Sequence, residues 1–348
     1  MQNSYNIFDL IYNLPNQIKA AKHLSVNIHR PKRIDYQNIV ISGMGGSGIG
    51  GEILKALLVN TLPIPIITVK DYFLPAYTNK NTLFFAVSYS GNTEETMQCF
   101  TEARHRKCHL ITITSGGKIL EISKKNNIDY IELPKGPSSR CAIGYLFISL
   151  LLCLTRLGLI KKMDNDIDET AKVLFANRKK YNFYAQKLAP KLNAKLPLVY
   201  STSSLFEPVA KRWQTQLNEN AEVIAHSNVF PELNHNEIVG ISDSYPLVPL
   251  YYLILIDQKT HTRNLLRVGY TFDIIKNRNH AKIFKKYIKV EKFFPNGKSN
   301  LARMFSLIML GDLISYHLAH ARQVIPESIT AIDELKMKLD RCKFVKRR

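Results

Sequence analysis

The chain has 348 residues, 45% hydrophobic and 22% charged, with a formal net charge of +20. This length suits two domains and this balance suits a soluble globular protein, which excludes a disordered or fibrous chain. No charged start leads into a short apolar core, so no secretory signal is read and a cytoplasmic location is expected.

In chain order, the first half alternates compact apolar runs with helical patterns. Strands are expected at Asn38–Ser42, Ile64–Val69, Leu83–Ser88, His109–Thr114 and Tyr130–Leu133. These runs lack strict alternation, as strands do when helices cover both faces of their sheet. Helices are expected at Gly50–Val59, Glu94–Arg104 and Arg140–Leu157. The apolar stretch Ile143–Leu154 falls well short of the roughly 20 residues that span a bilayer, so it reads as a core helix and no membrane partner is expected. Strands joined by helical crossovers imply a parallel sheet that binds ligands at its carboxyl ends.

From Lys161 to Ala194 the chain is charged and helical in pattern. The strand–helix rhythm then returns, with strands expected at Leu198–Ser201 and Leu250–Ile256 and an edge strand at Ile288–Glu291. Helices are expected at Pro208–Ala225 and Ser299–Ala321. The simplest organisation is an α/β domain over 1–160, a helical linker over 161–194 and a second α/β domain over 195–348.

Cys99, Cys108, Cys141, Cys153 and Cys342 are odd in number and lack CxxC spacing, which points to reduced thiols and against a zinc site. The basic residues are spread along the chain, although the run Lys276 to Lys298 carries many of them. No helix-turn-helix, zinc-finger or RNP-type string accompanies them, so no specific nucleic-acid partner is expected.

Four strings carry chemistry. Gly43-Met44-Gly45-Gly46-Ser47-Gly48 follows a strand and opens a helix, where glycines let the backbone approach an anion. Read as a dinucleotide fingerprint, it lacks a convincing ribose-binding acid, because Asp71 comes late after the second strand. Ser88-Tyr89-Ser90-Gly91-Asn92-Thr93 also links a strand to a helix, with hydroxyls and helix-start amides able to wrap a dianion. Its plainer reading is an ordinary N-cap. Glu219 stands between Asn218 and Asn220, and His235 between Asn234 and Asn236. Asparagine is a modest helix former, so a flanking pair is unusual unless its amides orient something. A solvated glutamate and a surface histidine are the plainer readings. No HxxxH or HExxH set supports a metal.

Together these strings resemble the sugar isomerase (SIS) fold and, more narrowly, the bifunctional phosphoglucose/phosphomannose isomerase family. The resemblance includes Arg140 with Gly144-Tyr145-Leu146-Phe147, Gly311-Asp312-Leu313-Ile314-Ser315-Tyr316 and Ile332-Asp333-Glu334-Leu335-Lys336. It implies two SIS-type domains, each a parallel sheet flanked by helices, and an aldose–ketose isomerase needing neither metal nor cofactor. Its substrates would be glucose 6-phosphate, mannose 6-phosphate and fructose 6-phosphate. By the same resemblance, Gly46, Ser47, Ser88, Ser90 and Thr93 hold the phosphate. Glu219 shuttles a proton between C1 and C2, Arg140 steadies the enediolate, and His235 with Lys336 serves ring opening. The histidine is expected to reach the site from the second subunit of a homodimer. The competing readings are a non-catalytic SIS sugar-phosphate sensor and a Rossmann dehydrogenase.

Overall fold

The computed structural model describes residues 6–26, 28–29, 35–136, 138–243, 249–278 and 288–341. Cys342 and much of the basic run 276–298 lie outside them. Among the described residues two parallel sheets carry the fold. The first contains β1 (Asn38–Ser42), β2 (Ile66–Val69), β3 (Thr82–Val87), β4 (His109–Thr114) and β5 (Asp129–Glu132), in the order β2-β1-β3-β4-β5. The second contains β6 (Leu196–Ser201), β7 (His226–Val229), β8 (Leu250–Leu255) and β9 (Ile288–Phe293), in the order β7-β6-β8-β9. Every pairing is parallel, with Ser42 opposite both Val69 and Ala86, and Ser201 opposite both Val229 and Leu255. Strands β1 and β3 are buried along their whole length, which is why their centres read as the apolar runs Ile-Val-Ile and Leu-Phe-Phe-Ala-Val.

The two strand orders repeat the same plan. In each sheet the first strand is flanked by the second and the third, so the order of building reverses at β1/β3 and again at β6/β8. A crevice opens at the carboxyl ends of the strands at such a reversal. Around the sheets lie α1 (Ile7–Tyr12), α2 (Leu14–Lys22), α3 (Gly45–Leu58), α4 (Glu94–His105), α5 (Gly117–Lys125) and α6 (Ile143–Leu157). They are followed by α7 (Asp164–Leu192), α8 (Glu207–Ala221), α9 (Glu237–Asp243), α10 (Thr262–Asn277), α11 (Asn300–Ala321) and α12 (Thr330–Arg341).

Helix α11 is apolar on nearly every side and packs between α7 and α8. It is long and apolar enough to cross a membrane, yet 89% of its most apolar window is buried inside the protein. A helix that is hydrophobic all round belongs in such a core. Trp213 of α8 lies against it, donating its indole N–H to Leu307 O at 2.8 Å. Gly311 makes this approach possible, since a Cβ there would stand 2.3 Å from the indole nitrogen.

The segment between the sheets is one continuous helix, α7, and the sequence expectation differs from the fold in two informative places. The helix expected over 208–225 stops at Ala221, because Glu222 adopts a left-handed backbone at φ +51° and the chain turns into β7. Strand β7 itself reads His-Ser-Asn-Val, too polar to announce itself as an apolar run.

Candidate active site

At the carboxyl ends of β1 and β3, two loops interlock. Helix α3 begins at Gly45, and Ser47 in its first turn accepts a hydrogen bond from the Tyr89 amide at 3.1 Å. Within the second loop the Ser88 and Thr93 hydroxyls are 2.9 Å apart, and the Gly91 amide donates to Ser88 Oγ at 3.1 Å. Gly91 takes φ +67° and lies so close to the next loop that a Cβ would stand 1.8 Å from Gly116 O. Only glycine closes that turn. Thr93 makes no side-chain cap to α4, so the first-turn amides of that helix are left for another acceptor.

The structure therefore brings Ser47, Ser88 and Thr93 into one loop pair. Their surroundings differ. Ser88 is fully buried and its hydroxyl is committed to Thr93 and Gly91, which makes it an organiser of the loop. Ser90 is exposed at the mouth and accepts only from the Asn92 amide, at 3.3 Å, among the described residues.

Arg140 does not lie in a long helix as expected. It sits in the 3-10 turn Ser139–Cys141 that precedes α6, and it is 4% exposed. Its backbone is pressed against α3, for a Cβ on Gly46 would stand 2.6 Å from Arg140 N. Its guanidinium donates from Nη2 to Pro326 O at 2.6 Å and from Nη1 to Glu219 Oε2 at 3.4 Å. Nε is buried and has no partner among the described residues.

Glu219 reaches this position from the last turn of α8. Val209, Arg212, Trp213, Gln216, Leu217 and Asn220 form the buried stripe that seats the helix. The flanking asparagines then hold its end. Asn218 Oδ1 accepts from the Ala225 amide at 3.1 Å, and Asn220 Nδ2 donates to Ser315 Oγ of α11 at 2.9 Å. Arg212, which sequence reasoning missed, donates to the Arg140 carbonyl at 2.8 Å and makes a two-point ion pair with Asp312 at 3.1 and 2.7 Å. The two pair members lie 100 residues apart in sequence, so no local pattern marks them.

His235 and Lys336 stand apart from this pair. His235 is exposed in the 3-10 turn Glu232–His235, and its imidazole makes no hydrogen bond among the described residues. Lys336 is an exposed residue of α12, paired only with Asp333 at 3.6 Å among the described residues. Among those residues no cluster of three or more His, Cys, Asp or Glu side chains is placed to hold a metal ion.

Residues 182–339 match the family model described as the bacterial phospho-glucose isomerase C-terminal SIS domain. A bifunctional phosphoglucose/phosphomannose isomerase from Caldicellulosiruptor bescii is 41% identical, over 96% of this chain and 98% of its own length. The chain belongs to the bifunctional phosphoglucose/phosphomannose isomerase family. A second member, from Thermoplasma acidophilum, is 37% identical over 87% of this isomerase and 90% of its own length. Among solved structures, the C-terminal domain of glucosamine-fructose-6-phosphate aminotransferase from Francisella tularensis superposes with a TM-score of 0.70 at 14% identity. It covers 94% of the isomerase and 100% of that chain, which shows a shared SIS fold. The expected architecture of two SIS-type domains is thereby borne out.

Proposed function

We propose that this chain interconverts glucose 6-phosphate and mannose 6-phosphate with fructose 6-phosphate by proton transfer through a cis-enediol. The observation that carries the reading is the Glu219 carboxylate held 3.4 Å from the buried Arg140 guanidinium, one backbone contact away from the anion-seating loops. Proton removal beside a carbonyl needs a positioned base and a fixed positive charge where the oxyanion develops. Glu219 supplies the first and moves the proton between C1 and C2. Arg140 supplies the second and remains charged at any working pH. The phosphate is held by the Gly46–Ser47 helix start with Ser90 and Thr93, on a loop that Ser88 organises. That remote grip is spent on orienting the carbons.

In this reading His235, assisted by Lys336, moves protons during ring opening and comes from the second subunit of a homodimer. Topology supports the second subunit. Helix α8 ends beside the amino end of β7, whereas His235 follows the carboxyl end of that strand. Four strand residues at about 3.3 Å each separate the two by roughly 13 Å along the sheet. Helix α12 supports a partner as well, since Ile332, Leu335, Met337 and Leu339 are all exposed. The setting is a reducing cytoplasm, in keeping with free Cys99, Cys108, Cys141 and Cys153.

The test is conversion of fructose 6-phosphate in EDTA without added cofactor, with glucose 6-phosphate and mannose 6-phosphate detected separately. Both products are expected. Glu219→Gln is expected to lower kcat by about 10²–10⁴-fold, the usual worth of a general base. Folded protein that binds the sugar phosphate yet forms neither product would instead be a sensor.

A further inference from the structure

Outside the Arg140–Glu219 site, a cluster of ionisable side chains gathers around Glu237, close in sequence to His235. The Glu237 carboxylate accepts from the Tyr200 hydroxyl on one oxygen. On the other it meets His226 Nε2 at 3.1 Å and Asn228 Nδ2 at 2.5 Å. Tyr200 and Asn228 come from β6 and β7, and His226 opens β7, so the carboxylate is clamped to the edge of the second sheet. Burial, and then the Glu237 charge, push the Tyr200 phenol far above its ordinary value, so it stays a donor.

Glu237 is two residues beyond His235, and the intervening chain is tied as tightly. Asn236 Oδ1 accepts from the Glu237 amide at 2.6 Å, while Asn236 Nδ2 donates to Glu232 Oε1 at 2.8 Å. Asn234 Nδ2 donates to Thr271 Oγ1 of α10 at 2.8 Å, and Leu233 is fully buried. The residues on either side of His235 are thus fastened to their own chain, and the exposed imidazole has no partner among the described residues.

We propose that Glu237 is a positioning residue for the ring-opening step: it locks residues 232–237 to the sheet so that the exposed His235 imidazole is presented in one orientation to the sugar. This rests on the role given to His235 above. A histidine offered across a subunit boundary has no packing of its own to hold it, so its aim depends on the backbone beneath it. A misplacement of about 1 Å in a catalytic group costs on the order of 100-fold in rate.

The experiment is a double-mutant cycle on fructose 6-phosphate turnover with His235→Asn, Glu237→Ala and the pair, plus Glu237→Gln in case the alanine variant fails to fold. Glu237→Ala is expected to lower kcat by about 10- to 100-fold with KM within about twofold. Adding it to His235→Asn is expected to cost nothing further, because it acts through that side chain. Effects that multiply in the cycle, for either Glu237 variant, would overturn the proposal and leave the function standing. A folded Glu237→Ala or Glu237→Gln enzyme with wild-type kcat would do the same. A His235→Asn enzyme of wild-type activity would overturn the proposal together with the role assigned to His235.

Discussion

At the carboxyl ends of β1 and β3 the Tyr89 amide donates to the Ser47 hydroxyl at 3.1 Å; at the carboxyl ends of β6 and β8 the Asp257 amide donates to the Thr202 hydroxyl at 2.7 Å. The two crevices share this tie and differ in what fills them. In the first, no carboxylate is bonded to the Ser47, Ser88 or Thr93 hydroxyls among the described residues. In the second, the Asp257 carboxylate is buried, ion-paired with Arg303 of α11, and accepts from the Lys259 amide at 2.9 Å. Burial alone would raise the Asp257 pKa, but Arg303, the Ser203 hydroxyl and the Lys259 amide outweigh it and hold the carboxyl below its ordinary value. The second domain has supplied its own anion where the function proposed above seats a substrate's in the first. A repeated fold can thus keep one working crevice and turn the other into a structural clasp.

Replacing the clasp should have the largest effect. Asp257→Ser leaves Arg303 buried and unpaired, at a cost of about 3–5 kcal/mol in unfolding free energy. Sulfate should restore part of that loss to the variant and little to the wild type, as read by chemical denaturation. Equal sulfate effects on both would show that the second crevice cannot seat an anion. Placing an acid in the working crevice is the reciprocal change. Ser90→Asp sets a carboxylate at the exposed loop mouth, and repulsion of a few kcal/mol should raise KM for fructose 6-phosphate on the order of 100-fold. A KM within twofold of wild type would remove the phosphate from that loop.

The clasp also has a pH signature. Because the folded Asp257 pKa is depressed, its stabilisation is complete above the unfolded aspartate value and is lost as pH falls through the lower folded one. Denaturation midpoints of Asp257→Ser should therefore fall less steeply than the wild type's on the acid limb alone. The smallest effects separate the two ties. Ser47→Ala removes one hydrogen bond, and Thr202→Val removes the bond from the Asp257 amide together with a longer one to Leu255 O at 3.4 Å, each worth about 1 kcal/mol of stability or less. Only Ser47→Ala should also raise KM; a matching rise in Thr202→Val would erase the distinction.

The loops proposed to seat the phosphate are readable in sequence because their needs are local. A glycine turn, a run of hydroxyls and a helix start must be neighbours in the chain, and the Asn-Glu-Asn and Asn-His-Asn-Glu strings announce side chains held from both sides. The clasp was not readable. Asp257 is one acid after a strand, and its partner Arg303 arrives from a helix 46 residues away. The same holds for Arg212 and Asp312 behind Arg140, and for the Pro326 carbonyl that receives its guanidinium, a backbone atom that any residue could supply. Strand β7 escaped because an edge strand buries only part of itself and needs no apolar run.

The contact of Gly46 with Arg140 sets a length. No methyl group fits between the helix proposed to grip the phosphate and the turn that carries the guanidinium, so the gap from that helix start to the Arg140–Glu219 pair is fixed by main chain against main chain. On the function proposed above, the site is in effect a gauge for carbon number. A sugar phosphate one carbon shorter, gripped by the same loop, leaves its carbonyl more than about 1 Å short of the base, enough to cost on the order of 100-fold in turnover.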